Sequence, residues 1–159
     1  MDFTKIKANL EEQGYLVTCF DNARQASDYL EKSIKGKTVG IGGSVTVQQM
    51  DLYEKLTCHN KVYWHWKLEE GMSQDDARSL ARNADIYLSS VNGIAESGEI
   101  INIDGNGNRV SEIMYGHEKV YLIIGENKIE PDYEKALYRA RNIAAPMNVK
   151  SLIKNTLCA

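Results

Sequence analysis

Two stretches of the chain carry residues of the type and spacing that do chemistry. The first is "VGIGGSVT", residues 39–46, a short apolar run followed by glycines and hydroxyls. Gly40, Gly42 and Gly43 let the main chain approach a ligand closely, and a helix starting just after them would direct N–H groups and the positive end of its dipole at an anion. Ser44 and Thr46 add hydroxyl donors, and T-x-x-Q from Thr46 to Gln49 reads as a capping box. A tight strand-to-helix turn without a ligand explains the same glycines. Two nucleotide-binding patterns fail here: no lysine follows Gly43 as a P-loop needs, and Val45 stands where a dinucleotide fingerprint needs glycine.

The second stretch is "NGIAESGEIINIDGNGNRV", residues 92–110. Asn92, Glu96, Asn102, Asp104, Asn106, Asn108 and Arg109 crowd around two short apolar runs. Gly105 and Gly107 mark a turn, and Asp-Gly and Asn-Gly pairs account for a loop with left-handed residues on their own. They do not account for Arg109, whose planar guanidinium can hold a carboxylate or phosphate with two parallel hydrogen bonds. Glu96 or Asp104 would serve as general base or nucleophile if burial raised its pKa; a solvated structural carboxylate is the plainer role. Lys128, after an apolar run, adds a cation that could neutralise an anion. His59, His65 and His117 lack ligand-like spacing with Cys, Asp or Glu, so no metal is expected.

Hydrophobic periodicity places these groups on alternating strands and helices. Phe3, Ile6 and Leu10 predict a helix stopped by Gly14, residues 15–20 a strand, and Asp21 the cap of a helix bearing Ala23, Ala26, Tyr29 and Leu30. Residues 38–41 form the strand before the glycine turn, and one helix is expected from the turn to Leu56. Residues 61–66 read as a strand with Trp64 and Trp66 on one side, packing in the core. Ser73 caps a helix with Ala77, Leu80, Ala81 and Ala84 inward; strands follow at 86–90 and 100–103, with a turn at 96–99. The apolar run 120–124 reads as a central strand covered on both faces. Pro131 opens a last helix striped by Tyr133, Ala136, Leu137, Ala140 and Ala144. The expectation is one α/β domain over residues 1–159, Rossmann-like, with a mostly parallel central sheet flanked by helices and ligands at the carboxyl ends of its strands.

Composition narrows the function. A net charge of −3 lacks the basic surface that broad nucleic-acid binding needs, and no apolar run suits an export signal or a membrane span, so a cytoplasmic protein is expected. Cys19, Cys58 and Cys158 lack CxxC spacing and read as reduced thiols, the first two buried and inert.

Together with "VYLIIGENKI" and "AAPMNVKSL", the two stretches resemble the lactate-utilisation (LUD) domain family over nearly the whole chain, most specifically at residues 102–110 and 144–150. The resemblance implies the fold shared by glucosamine-phosphate deaminase, ribose-5-phosphate isomerase and the CoA transferases, where a turn like residues 40–46 holds phosphate or carboxylate. It also implies a cytoplasmic bacterial protein connected with oxidation of lactate to pyruvate. Some relatives of that system carry ferredoxin-type cysteine clusters in an iron–sulfur subunit. None is present here, so no cofactor is expected, and iron–sulfur and other subunits of such a system are the expected partners. Many members resembling this chain continue past "TLCA" into a cysteine-bearing tail, so Cys158 is expected to stand without metal partners.

Three readings follow. The preferred one is an accessory or regulatory domain that binds a small anionic metabolite. The others are an isomerase-like or CoA transferase-like enzyme using Glu96 or Asp104, and a protein-interaction subunit with an exposed apolar patch.

Overall fold

In a computed structural model that describes residues 2–152, the chain falls into two compact units. One comprises residues up to Cys19, Val91–Asn106 and the chain from Ile124 onward; the other comprises Phe20–Ser90 and Gly107–Ile123.

The second unit is built on four parallel strands, β1 (Thr38–Ile41), β2 (Lys61–Trp64), β3 (Ile86–Ser89) and β6 (Lys119–Leu122), in the order β2-β1-β3-β6. Side chains alternate across the sheet. Val39, Ile41, Val62, Trp64, Ile86 and Leu88 bury themselves on one face with Leu30 and Ile34 and with Val47, Leu52 and Leu56. The first pair comes from α2 (Ala23–Ser33) and its end; the other three lie on α3 (Val45–Gln49) and α4 (Leu52–Thr57). On the other face Tyr63, Ala81 and Tyr87 form a second cluster that includes Ile113 and Val120. There α5 (Gln74–Arg82) packs on β1 and β2, and α6 (Asn108–Met114) packs on β3. The expected parallel α/β sheet with helices on its faces is therefore present.

Gly40 belongs to this packing. A Cβ there would lie 2.6 Å from the Ala81 carbonyl oxygen, so its bare backbone is what lets α5 lie against β1. α5 begins with a capping box: Ser73 Oγ accepts from the Asp76 N–H at 3.1 Å, and Asp76 Oδ2 accepts from the Ser73 N–H at 3.1 Å.

The first unit holds α1 (Thr4–Glu12) and a small sheet ordered β5-β4-β7, made of β4 (Gly93–Ala95), β5 (Ile100–Ile101) and β7 (Ile129–Glu130). β4 runs antiparallel to β5 and parallel to β7. Helix α7 (Tyr133–Arg139), capped by Asp132, continues through a π turn (Ala140–Ala144) into α8 (Ala145–Leu152). Gly93 lets α7 approach β4, since a Cβ there would sit 2.6 Å from the Ala136 carbonyl oxygen. The π turn has a local cause: Pro146 offers no N–H to the carbonyl four residues back, and the wider turn makes room for its ring.

Several local expectations are corrected. Residues 15–20 form no strand; Tyr15 and Leu16 are exposed, and no neighbouring strand pairs with the segment. The helix after the glycine turn is two short helices, because Asp51 adopts a left-handed conformation with φ 51°. Asn22, not Asp21, caps α2, and Ser44, not Thr46, caps α3. β6 lies at the sheet edge and is only half-buried, since an apolar run cannot report which neighbour its strand receives. The strand at residue 61 ends at Trp64, and the one at residue 100 ends at Ile101. Tyr133 points to solvent while Ala136 and Ala140 are buried. Cys19 and Cys58 are exposed, not buried. Cys158 lies outside the described residues.

Candidate functional site

The order β2-β1-β3-β6 makes the chain leave β1 toward one side and return to β3 on the other, so the strand order reverses between β1 and β3. In open α/β sheets the loops diverge at such a point and leave a crevice beyond the carboxyl ends of the strands. Register places the glycine turn there: Ile41 pairs with Leu88, and Gly42 continues the ladder by donating its N–H to the Leu88 carbonyl at 2.9 Å. Its own carbonyl accepts from Trp64 Nε1 at 3.1 Å. Both polar groups of Gly42 are thus engaged within the protein. At Gly42 the turn is therefore a fixed point.

What surrounds this point is polar and buried. A Cβ on Gly42 would lie 2.8 Å from Tyr87 Oη, 3.1 Å from Ser89 Oγ and 3.2 Å from Arg109 Cγ. Arg109 is only 8% exposed; its Nη1 donates to the Ser90 carbonyl at 3.1 Å. Ser89 is fully buried and Tyr87 almost so, and Ser90 Oγ donates to the Ile123 carbonyl at 2.6 Å. Fold thereby brings Arg109 of the second stretch to the first: its aliphatic stem rests on Gly42, and its guanidinium is anchored on Ser90 just beyond β3.

Arg109 is delivered there by α6. Gly107 precedes the helix with φ 76°, a conformation that suits glycine, and sets the direction in which the helix departs. One turn after Arg109, the buried Glu112 carboxylate accepts from Arg82 Nε at 3.2 Å and from Ser111 Oγ at 3.1 Å. His117 packs beneath: its ring stacks on Tyr87 at 5.0 Å and 16°, and its Nδ1 donates to the Ala84 carbonyl at 2.7 Å. Its Nε2 comes within 3.3 Å of Glu112 Oε2 without hydrogen-bond alignment. These contacts fix both α6 and the Tyr87 ring.

On the other side of the turn, Gly43 meets aromatic rings. A Cβ there would lie 3.3 Å from Trp66 Cζ2 and 3.6 Å from His65 Nε2. Ser44 is buried, and its Oγ accepts from the Val47 N–H at 3.2 Å, so it works as a helix cap. α3 has five residues, too few for the dipole argument to contribute much; positive charge at this point comes from Arg109. Thr46 is half-buried within α3, and Asn108 is the first residue of α6.

The other residues singled out belong to the first unit, each with a local setting there. Asn92 is buried; its Oδ1 accepts from the Ile103 N–H at 3.0 Å and its carbonyl from Arg139 Nη1 at 2.5 Å, which ties down the strand pair. Glu96 pairs with Lys5 Nζ at 2.7 Å, and its carbonyl accepts from Asn9 Nδ2 at 2.6 Å. Asp104 accepts from the Asn106 N–H at 3.3 Å in a loop where Gly105 and Asn106 are exposed, as a plain turn would have it. Asn102 is half-buried beside β5, and Lys128 ends a short 3₁₀ turn, Glu126–Lys128, before β7.

Tyr87, Ser89 and Glu112 carry no mark in the sequence, and His117 stands out there only as a histidine without ligand-like spacing. Tyr87 and Ser89 sit in "ADIYLSS", which reads as an ordinary buried strand; the available signal was the pair of serines ending an otherwise apolar run. An open hollow of about 590 Å³ lies at the opposite, amino-terminal end of β1 and β2, lined in part by Lys37, Asn60, Lys61 and Asp85. Its carboxylate, Asp85, already accepts the N–H and Oγ–H of Thr38, both at 2.8 Å, which assigns it a structural task.

A family model described as "LUD domain" matches residues 3–159. No curated protein and no solved structure matches the chain.

Proposed function

The chain belongs to the LUD, or lactate-utilisation, domain family, and from that premise we propose that it binds a small anionic metabolite, a carboxylate or phosphate, in an accessory or regulatory role in lactate or organic-acid metabolism. On this reading the ligand occupies the crevice beyond β1 and β3, and its charge meets Arg109. Tyr87 and Ser89 supply hydroxyls beside it. The protein is proposed to act in the cytoplasm beside iron–sulfur and other subunits of a lactate-oxidising system.

One observation carries the reading. A buried arginine packs its Cγ against the glycine turn and anchors its guanidinium on the Ser90 carbonyl just beyond β3, beside the place where the strand order reverses. Burying such a charge is costly, and a site that holds an anion gains from it, because a charged hydrogen bond away from water is stronger than one in it.

Thermal-shift titration with lactate, pyruvate, sugar phosphates and CoA esters tests the proposal. A ligand present at a hundred times its Kd is expected to stabilise the fold by about 2.7 kcal/mol. Arg109→Ala should abolish that stabilisation. Arg109→Lys, which keeps the charge but not the planar fork, should retain only part of it. A folded wild-type protein whose melting temperature none of the four classes moves would refute the reading.

A further inference from the structure

The two sides of the glycine turn differ in chemistry. On the side of Gly42 stand the stem of Arg109, whose guanidinium reaches the Ser90 carbonyl, and the hydroxyls of Tyr87 and Ser89; on the side of Gly43 stand His65 and Trp66. Trp66 ends a ladder of three rings. Tyr53 packs on Trp64 at 5.9 Å, and Trp64 on Trp66 at 5.3 Å with 30° between their planes. His65 meets Trp66 edge-on, at 6.0 Å and 69°. Trp64 is buried, whereas Trp66, His65 and Gly43 each keep part of their surface in solvent. The aromatic rim is thus open where the polar wall is closed. An indole left partly wet against Gly43, with a buried arginine packed against the adjacent Gly42, is surface that a ligand with a charged head and a flat body would cover.

We infer that Trp66 and His65 are specificity-determining residues that make this a site for a carboxylate bearing a flat, unsaturated body in preference to a short saturated acid. The inference rests on the anion reading above. The carboxylate lies toward Arg109, and the ring lies along the rim formed by Trp66 and the edge of His65, taking up an offset or edge-on arrangement with the indole. A methyl group in the same place gains only from leaving water, whereas a ring also gains the quadrupolar attraction between aromatic faces and edges.

Isothermal titration calorimetry with pyruvate and phenylpyruvate, two 2-oxo acids with the same head and different bodies, provides the test. Wild-type protein is expected to bind phenylpyruvate about tenfold more tightly than pyruvate. Trp66→Leu should bring the two affinities close to parity, with the loss falling chiefly on phenylpyruvate, and Trp66→Phe should fall between. If Trp66→Leu does not fold, as judged by its circular dichroism melt, Trp66→Phe and His65→Ala take its place, each expected to narrow the preference. Equal wild-type affinities, or a preference that survives in the folded variants, would overturn the inference and leave the anion reading standing. If neither acid binds but lactate, a sugar phosphate or a CoA ester shifts the melt, the inference alone falls. If none binds, the anion reading falls and takes the inference with it.

Discussion

Gly42 is the residue whose replacement would reveal most about the crevice. A methyl group there must displace Tyr87 Oη, Ser89 Oγ or the Arg109 chain, all buried, so Gly42→Ala is expected to destabilise by about 1–3 kcal/mol in urea unfolding. It should also weaken the proposed anion binding, because the Arg109 chain has the most rotatable bonds of the three neighbours and is the one that would give way. Asp85 gives a pH-dependent expectation. The N–H of Thr38 first, and then its hydroxyl, hold this carboxyl below its ordinary range. With the folded value below the unfolded one, its contribution is fully present above about pH 4 and is lost as pH falls through the folded value. Melting temperature followed into acid should therefore fall less steeply in Asp85→Asn than in wild type. Cys19 and Cys58, exposed in the structure, should both take up maleimide in the native protein, as peptide mapping would record. The guanidinium and the glycines were legible as residue types, since few other roles suit Arg after a glycine turn. Exposure of the cysteines was not legible, because burial statistics for a small apolar side chain say nothing about where a given cysteine falls in the fold.

At the scale of elements, the contact between α5 and β1 tests how glycine governs packing. Gly40→Ala would drive a methyl to within 2.6 Å of a backbone carbonyl, which cannot rotate away, so the helix itself must move. A loss of several degrees in melting temperature is expected, with the Tyr63 and Tyr87 cluster disturbed in near-ultraviolet circular dichroism. Ser73→Ala removes one side of a capping box and should cost about 1 kcal/mol. That cap was legible because serine, two aspartates and an apolar stripe agree with one another. The break at Asp51 was not: a left-handed residue between two short helices is imposed by packing Leu52 and Leu56 under the sheet, and local propensity carries no record of it. The edge position of β6 was hidden for a similar reason, since strand order is decided by long-range pairing.

For the molecule as a whole, amide hydrogen exchange should be slowest in β1 and β3, which have partners on both sides and helices on both faces. It should be faster in β5 and β7, which have two residues each at the edges of a small sheet. Mass-spectrometric exchange that found β5 better protected than β3 would contradict this account of where the core lies. One consequence of the layout belongs to the moment of synthesis. The chain passes between its two units after Cys19, Ser90, Asn106 and Ile123, so neither unit exists as an unbroken length of polypeptide. A nascent chain that has just released Ser90 from the ribosome carries three strands of the parallel sheet but not α6. Until some twenty more residues emerge, the Tyr87 face lacks that covering helix, and the crevice lacks its positive charge. The earliest compact intermediate is therefore expected to be sticky toward chaperones and indifferent to anions, with the proposed anion binding arising only when Arg109 arrives.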